Sequence, residues 1–304
     1  MTTLNGTTVL ITGSSSGLGN QTARTLLEHG ATVIATMRHL NTKNQTAADA
    51  LREYANTVPG TLHLIEMDVA DEASVEAAFA TALATTERID VVINNAGIGG
   101  GGLTEAFSVD QFRKTFDVNV LGVQRVMRAA LPPMRQQGYG LIINVSSAMG
   151  RMVIPYAGAY TASKYALEGL SESYRYELAG TGVQVVIMEP GGFMTGYWSG
   201  MMAPEDTDRA ASYGEAAAVP DQLWSGIPDL LSGSDAASPA NFAEAVIDVI
   251  QTAPAERPLR VVVDPVTGGD APKAINAATE PVQRSVLNAF GLGDLLQALP
   301  DEKA

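Results

Sequence analysis

The chain has no cysteine. That excludes disulfides, thiolate metal ligands and a cysteine nucleophile. Histidine is nearly as scarce. His29, His39 and His63 show no ligand spacing, and no metal site is expected. No stretch approaches the roughly 18 consecutive apolar residues of a membrane-spanning helix, so none is expected. The first residues, Met1-Thr2-Thr3-Leu4-Asn5-Gly6, lack a basic segment ahead of a long apolar run. A signal peptide is therefore not expected, and the expected location is cytoplasmic. Charge is also sparse, at 17% of residues against a usual share of about 25%. The balance is acidic, with 19 Lys+Arg against 33 Asp+Glu and a net charge of −14. A body of that sign repels polyphosphate and anionic lipid, so neither nucleic acid nor a membrane surface is an expected partner. Internal repeats and low-complexity tracts are absent too.

What is present is a chain of 304 residues, 46% hydrophobic, long enough to bury a sizeable core without staples. Length alone admits two domains or one large α/β domain. Apolar, largely β-branched runs at 7–11, 32–35, 62–66, 91–93, 141–145, 183–188 and 260–263 read as seven strands. Helical patterns separate them at 17–29, 43–56, 74–85, 112–134 and 159–179. The alternation predicts an α/β fold with a doubly wound parallel sheet covered on both faces. Ligands of such sheets bind beyond the carboxyl ends of the strands. Two segments break the rhythm. Residues 195–240 contain no strand pattern and carry both tryptophans, and residues 265–304 form a Pro- and Gly-punctuated tail with a helix expected near 282–290. Between 201 and 264, eleven acids face three bases.

The residues after the strands carry the chemistry. The first strand runs into Thr12-Gly13-Ser14-Ser15-Ser16-Gly17-Leu18-Gly19, ahead of a helix. Glycines allow a tight turn and close approach, and the helix start offers unpaired N–H groups to a pyrophosphate. Taken alone this is equally a plain β–α turn. An acidic residue about 20 positions further on would hold the ribose of NAD. That place falls on Met37, and Arg38 follows, suited to a 2′-phosphate, so NADP(H) is expected in preference to NAD(H). The bland alternative is a solvated surface arginine. Asp68, beside Val69, is placed to accept from an adenine amino group or merely to cap a helix. In Asn94-Asn95-Ala96-Gly97, small residues let a ribose lie against the backbone while an asparagine pins the strand end. Tyr160 and Lys164, at i and i+4, share one helix face, and an ammonium there lowers a phenol's pKa. Ser147 lies just past the fifth strand, where a hydroxyl can hold a substrate carbonyl. A lone Tyr-x-x-x-Lys also arises by chance, as a ring packed on a lysine stem.

In order and spacing, Thr12–Gly19, Asn94–Gly97, Asn119, Ser147, Tyr160/Lys164 and Pro190-Gly191 together resemble the single-domain short-chain dehydrogenases/reductases, over roughly residues 5–263. The resemblance implies a Rossmann-like seven-stranded sheet and an NAD(P)-dependent oxidoreductase of one domain. Residues 195–240 would then form a substrate lid and 265–304 a C-terminal extension. It implies Tyr160 as general acid/base, Lys164 on the nicotinamide ribose, Ser147 (rather than Ser146) polarising the carbonyl, and Asn119 holding a water that links Lys164 to solvent. It implies cofactor contacts from Gly13, Ser15, Ser16, Gly17, Leu18, Gly19, Arg38, Asp68, Val69, Asn95, Ala96 and Gly97, as well as from Tyr160 and Lys164. After the sixth strand, Pro190, Gly191, Phe193 and Thr195 would follow the nicotinamide. Substrate would meet Met149, Met194, Tyr197 and Trp198. With Met201, Met202 and Trp224, these make an apolar, adaptable lid and imply a hydrophobic or aromatic carbonyl or alcohol. Gly99–Gly102 leaves one wall of the site without side chains, for a bulky ligand or as a flexible loop. The resemblance also implies a homodimer paired through the two long helices, with a tetramer as the alternative. Two other readings are weaker: a nucleotide-binding sensor without turnover, whose kind usually loses the tyrosine or lysine present here, and a lyase or epimerase of the related extended family, whose members space the first glycines differently and carry a second domain.

Overall fold

The computed structural model describes residues 3–264 and 266–298. Seven parallel strands form one sheet in the order β3-β2-β1-β4-β5-β6-β7. They are β1 (Thr8–Thr12), β2 (Thr32–Met37), β3 (Thr61–Glu66), β4 (Val91–Asn94), β5 (Gly140–Val145), β6 (Val183–Pro190) and β7 (Arg260–Val263). The chain reverses its direction of growth between β1 and β4. Loops leaving two neighbouring strands there diverge to opposite faces and open a crevice at their carboxyl ends.

Strand β1 shows why the sheet must be covered twice. All five of its residues are buried. Val9 and Ile11 pack on one face with Leu26, Leu27, Phe242 and Val246. Leu10 packs on the other with Val75, Phe79, Val126, Met127 and Leu167. Each such side chain contributes about 1.5–3 kcal/mol by leaving water. The first layer comes from α1 (Gly17–Glu28), α2 (Gln45–Ala55) and α9 (Pro239–Gln251), the second from α3 (Glu72–Thr86), α5 (Gly122–Gln137) and α6 (Gly158–Glu177). The remaining helices before the tail are α4 (Val109–Phe116), α7 (Thr207–Ala211) and α8 (Val219–Ser232).

Two features depart from the sequence expectation. The helix expected at 112–134 starts at Val109, ends at Gln137, and is interrupted by a π turn over Asp117–Leu121. The tail is far more regular than its prolines suggest: α10 (Asp270–Ala289) runs for 20 residues. Pro272 sits in its first turn, where no intrahelical N–H bond is lost. The 195–240 segment, expected to be a partly helical insertion, is carried by α7, α8 and short 3₁₀ turns. Among the described residues no helix is long and apolar enough to cross a membrane.

Candidate active site

The turn after β1 is shaped by close backbone approach. Gly13 has φ +69°, and a Cβ there would lie 2.8 Å from the Cα of Ala96. Gly17 has φ +57° and faces the Thr195 side chain across the crevice. Ser16 is the extended N-cap of α1, its side chain makes no capping bond, and the first turn holds no acid. The positive end of α1 is thus left to an anion. Asn95 braces this turn from below. Its amide nitrogen donates to the carbonyls of Thr12 (2.8 Å) and Gly13 (3.1 Å), and a Cβ on Gly19 would collide with it. Asn95 therefore holds the cradle, with its amide facing the turn. Phe193 also faces inward. Its ring is 4% exposed and packs edge-on against Phe242, so only its backbone is offered to the crevice.

At the end of β2, Arg38 is half-exposed and lies 3.7 Å from the Asp68 carboxylate at the end of β3. The two residues expected to touch a cofactor thus form one pair at the mouth of the crevice. Asp68 also accepts from Ala70 N–H at 3.0 Å. Val69 packs against Gly122, where a Cβ would come within 2.9 Å.

The hydroxyls converge at the ends of β5 and α6. Ser147 follows β5, and its Oγ accepts from Met149 N–H at 3.1 Å. The Tyr160 hydroxyl is hydrogen-bonded to Ser147 and to Tyr197. Lys164, 5% exposed, donates from Nζ to the Val145 carbonyl at 2.8 Å and lies 5.6 Å from the Tyr160 ring centre. Burial pushes the Lys164 ammonium down to about 8, against the attraction of Glu168. Gly97 approaches both Lys164 Nζ and Asn119 Oδ1, since a Cβ on it would meet them at 3.8 and 3.4 Å.

The expected depression of the Tyr160 phenol is corrected by this geometry. Burial is the dominant influence and raises its pKa, while the Ser147 and Tyr197 hydroxyls pull it down. The Lys164 ammonium is turned toward a backbone carbonyl, which explains why it does not dominate. Asn119 is likewise committed. It lies in the π turn, accepts from Ile98 N–H (2.9 Å), and donates to the Ile98 carbonyl (2.9 Å) and to Ser163 Oγ (3.0 Å). Ser163 passes the bond on to the Tyr160 carbonyl at 2.7 Å. Single π turns recur at functional sites because they re-aim one side chain. Here the side chain locks the loop after β4 to the helix bearing Tyr160.

Aromatic residues of the 195–240 segment pack beside these hydroxyls. Tyr197 sits 5.8 Å from Tyr160 between ring centres, Trp198 packs edge-on against Tyr197 at 5.3 Å, and Trp224 stacks on Trp198 at 6.5 Å. The Gly99–Gly102 run is the surface they rest on. A Cβ on Gly99 would overlap the Tyr197 hydroxyl, and one on Gly101 would meet Trp224 at 2.8 Å. Met202 and Gly99–Gly101 exchange backbone bonds, Met202 N–H to the Gly99 carbonyl (2.9 Å) and Gly101 N–H to the Met202 carbonyl (3.1 Å). The glycines thus admit the lid itself. Met149 lies beside Ser147, whereas Met194 is 40% exposed and is tied by its N–H to the Ala237 carbonyl. The contacts among Tyr197, Gly99 and Tyr160 were not foreseen from sequence, although two tyrosines and a glycine run flanking the motif were visible.

Residues 7–206 match the family model of the short chain dehydrogenases. The chain belongs to this family. Among its relatives, a 3-ketodihydrosphingosine reductase of Bacteroides thetaiotaomicron is 36% identical over 208 residues, 68% of this chain and 72% of that one. The human 17-beta-hydroxysteroid dehydrogenase type 1 is 38% identical over 204 residues, covering 66% of this chain and 61% of that one. A solved short-chain dehydrogenase of Streptomyces avermitilis superposes with a TM-score of 0.74 at 30% identity, covering 96% and 99% of the two chains. A gluconate 5-dehydrogenase of Burkholderia cenocepacia, solved with NADP and tartrate, gives 0.64 at 29% identity over 81% and 88%. This short-chain dehydrogenase is accordingly an NAD(P)-dependent oxidoreductase acting on a CH–OH or C=O group.

Proposed function

We propose that the protein reduces a hydrophobic or aromatic ketone or aldehyde to the alcohol, or runs the reverse oxidation, with NADP(H) preferred over NAD(H). The observation that carries this reading is the shared hydrogen bonding of Ser147, Tyr160 and Tyr197 beneath an aromatic lid. The glycine turn, the uncapped start of α1 and Thr195 opposite Gly17 fit a dinucleotide pyrophosphate. Arg38 fits a 2′-phosphate, with Asp68 close enough to orient its guanidinium. When bound, the nicotinamide supplies or accepts the hydride.

Ser147 holds the carbonyl oxygen by its hydroxyl. Tyr160 gives its phenol proton to that oxygen as negative charge develops there. A phenol kept protonated by burial can serve as the acid in the reductive direction. Lys164 then stabilises the phenolate left behind by its nearby charge. Asn119 braces the loop and helix that set these distances.

The substrate class follows from the lid. The Tyr197 hydroxyl is hydrogen-bonded to Tyr160, so a planar ring bearing one oxygen already fits the place a substrate oxygen must reach. The lid is latched to the body by exposed contacts, Arg209 with Glu105 (2.7 Å) and Tyr213 with Glu105 (2.6 Å). Both pairs are exposed and screened by solvent. A cyclic or aromatic ketone enters by displacing Tyr197 and stacking against Trp198. Exposed Val109, Leu121 and Tyr165 on α4, the π turn and α6 support pairing of two copies through these helices. The testing experiment follows nicotinamide absorbance with NADPH and a panel of cyclic ketones. Tight NADPH binding with no turnover of any carbonyl would favour a sensor instead.

A further inference from the structure

Behind the catalytic helix lies a second cluster that the reaction above does not use. Glu168 on α6 stands one helical turn beyond Lys164 and is 2% exposed. Its Oε2 accepts from Arg260 Nε at 2.9 Å. Arg260, on β7, also pairs with Glu172 of α6 and lies 3.5 Å from Glu189 of β6, which is fully buried. One guanidinium is thus shared among three carboxylates. Arg151 faces the cluster from the turn after β5, and its side chain donates to Thr279 at 2.9 Å. Asn276 donates to Glu189 Oε2 at 2.8 Å. Thr279 and Asn276 both belong to α10, so the C-terminal extension forms the outer wall.

Unpartnered buried polar atoms collect here. Among the described residues they include Ser146 Oγ, Arg151 Nε, Glu168 Oε1, Glu189 Oε1 and Asn276 Oδ1. Ser146 Oγ and Glu168 Oε1 face one point above Gly150, at 2.6 and 3.2 Å from where its Cβ would be. Ser146 lies directly between Val145, which accepts from Lys164, and Ser147. The cluster therefore abuts the catalytic groups along both β5 and α6.

We propose that Glu168 is a positioning residue of the reaction, a buried carboxylate one turn behind Lys164 that keeps the Lys164 ammonium charged. The inference rests on the roles given to Tyr160 and Lys164 above. Nζ is buried with a neutral carbonyl as its hydrogen-bond acceptor, and desolvation favours the uncharged amine. Glu168 opposes that loss, and no other charged side chain contributes comparably. Because Arg260 is divided among three acids, it cannot neutralise Glu168 fully. Glu189 retains a proton up to about pH 7, driven first by burial and then by Glu168, with Asn276, Arg260 and Arg151 opposing. The C-terminal helix keeps the enclosure shut, so the field of Glu168 reaches Lys164 without screening by solvent.

The test is a titration of the full chain labelled at lysine 13Cε. The protein has five lysines, and Lys164→Arg assigns the relevant resonance. Glu168→Gln is expected to lower the Lys164 midpoint by about one unit, a tenfold loss of proton affinity. Glu168→Asp, which keeps the charge, should retain most of the wild-type midpoint, and it also serves should the Gln variant not fold. The alkaline limb of turnover should move with the midpoint in each variant. An unchanged midpoint in Glu168→Gln overturns the proposal, as does a shifted midpoint with an unmoved turnover profile. If the wild-type protein turns over no carbonyl at all, the reading of its reaction fails, and the titration still decides whether Glu168 holds the charge.

Discussion

Tyr197 of the lid and Tyr160 of helix α6 share a hydrogen bond, with their rings 5.8 Å apart and tilted by 56°. A substrate oxygen must take the place beside Tyr160 that the Tyr197 hydroxyl holds. Tyr197→Phe removes the competing hydroxyl and keeps the ring. A neutral hydrogen bond is worth about 0.5–1.5 kcal/mol. The KM for a cyclic ketone should therefore fall about two- to tenfold, with kcat changed by less. A rise in KM, measured by steady-state kinetics at saturating NADPH, would instead make Tyr197 a direct substrate contact.

Arg38 and Asp68 form the half-exposed pair at the mouth of the cofactor crevice. If Arg38 holds a 2′-phosphate, Arg38→Ala weakens NADPH by the strength of a hydrogen bond to a charged group, on the order of ten- to a hundredfold. NADH, which lacks that phosphate, should be affected little. Fluorescence titration with both cofactors measures the ratio, and equal losses would contradict the phosphate reading.

Glu189 predicts a pH dependence of stability whose sign is fixed. Its carboxyl is pushed up from 4.5 to about 7 by burial first and by Glu168 second. Between those values the folded state holds a proton that the unfolded chain has released. Stability from this group is therefore lost as pH rises from about 4.5 toward 7, then levels off. The total is of the order of 3 kcal/mol. Urea melts across that window should show the wild-type slope minus the Glu189→Gln slope as negative. Equal slopes would show that Glu189 titrates normally.

Much of this molecule is readable from residue order, and the reason differs by element. The strands are legible because a doubly covered parallel sheet demands near-continuous apolar runs, and β7 spans the expected Arg260–Val263. Tyr160, Lys164 and Ser147 are legible because their order and spacing resemble the family's, whereas a lone Tyr-x-x-x-Lys arises by chance. The π turn at Asn119 is not, since its stabilising bonds reach Ile98 and Ser163, far away in sequence. Helix α10 is hidden by Pro272 and Pro281, residues that usually mark breaks. Phe193 looks like a cofactor contact by position, but the β6 exit turns its ring into the core beside Phe242. The Glu168–Arg260–Glu189 cluster joins three elements, so no local pattern announces it.

In the proposed reaction Tyr160 transfers the proton. The most direct test compares wild type with Tyr160→Phe for NADPH consumption with a cyclic ketone and for NADPH binding by fluorescence. Loss of a general acid costs about 10²–10⁴-fold in turnover. Turnover should fall by that much while NADPH affinity changes less than about threefold, because a phenol-to-phenyl change removes one hydroxyl and leaves the cradle of Gly13, Gly17 and Asn95 intact. A variant that turns over at a near wild-type rate would contradict the account.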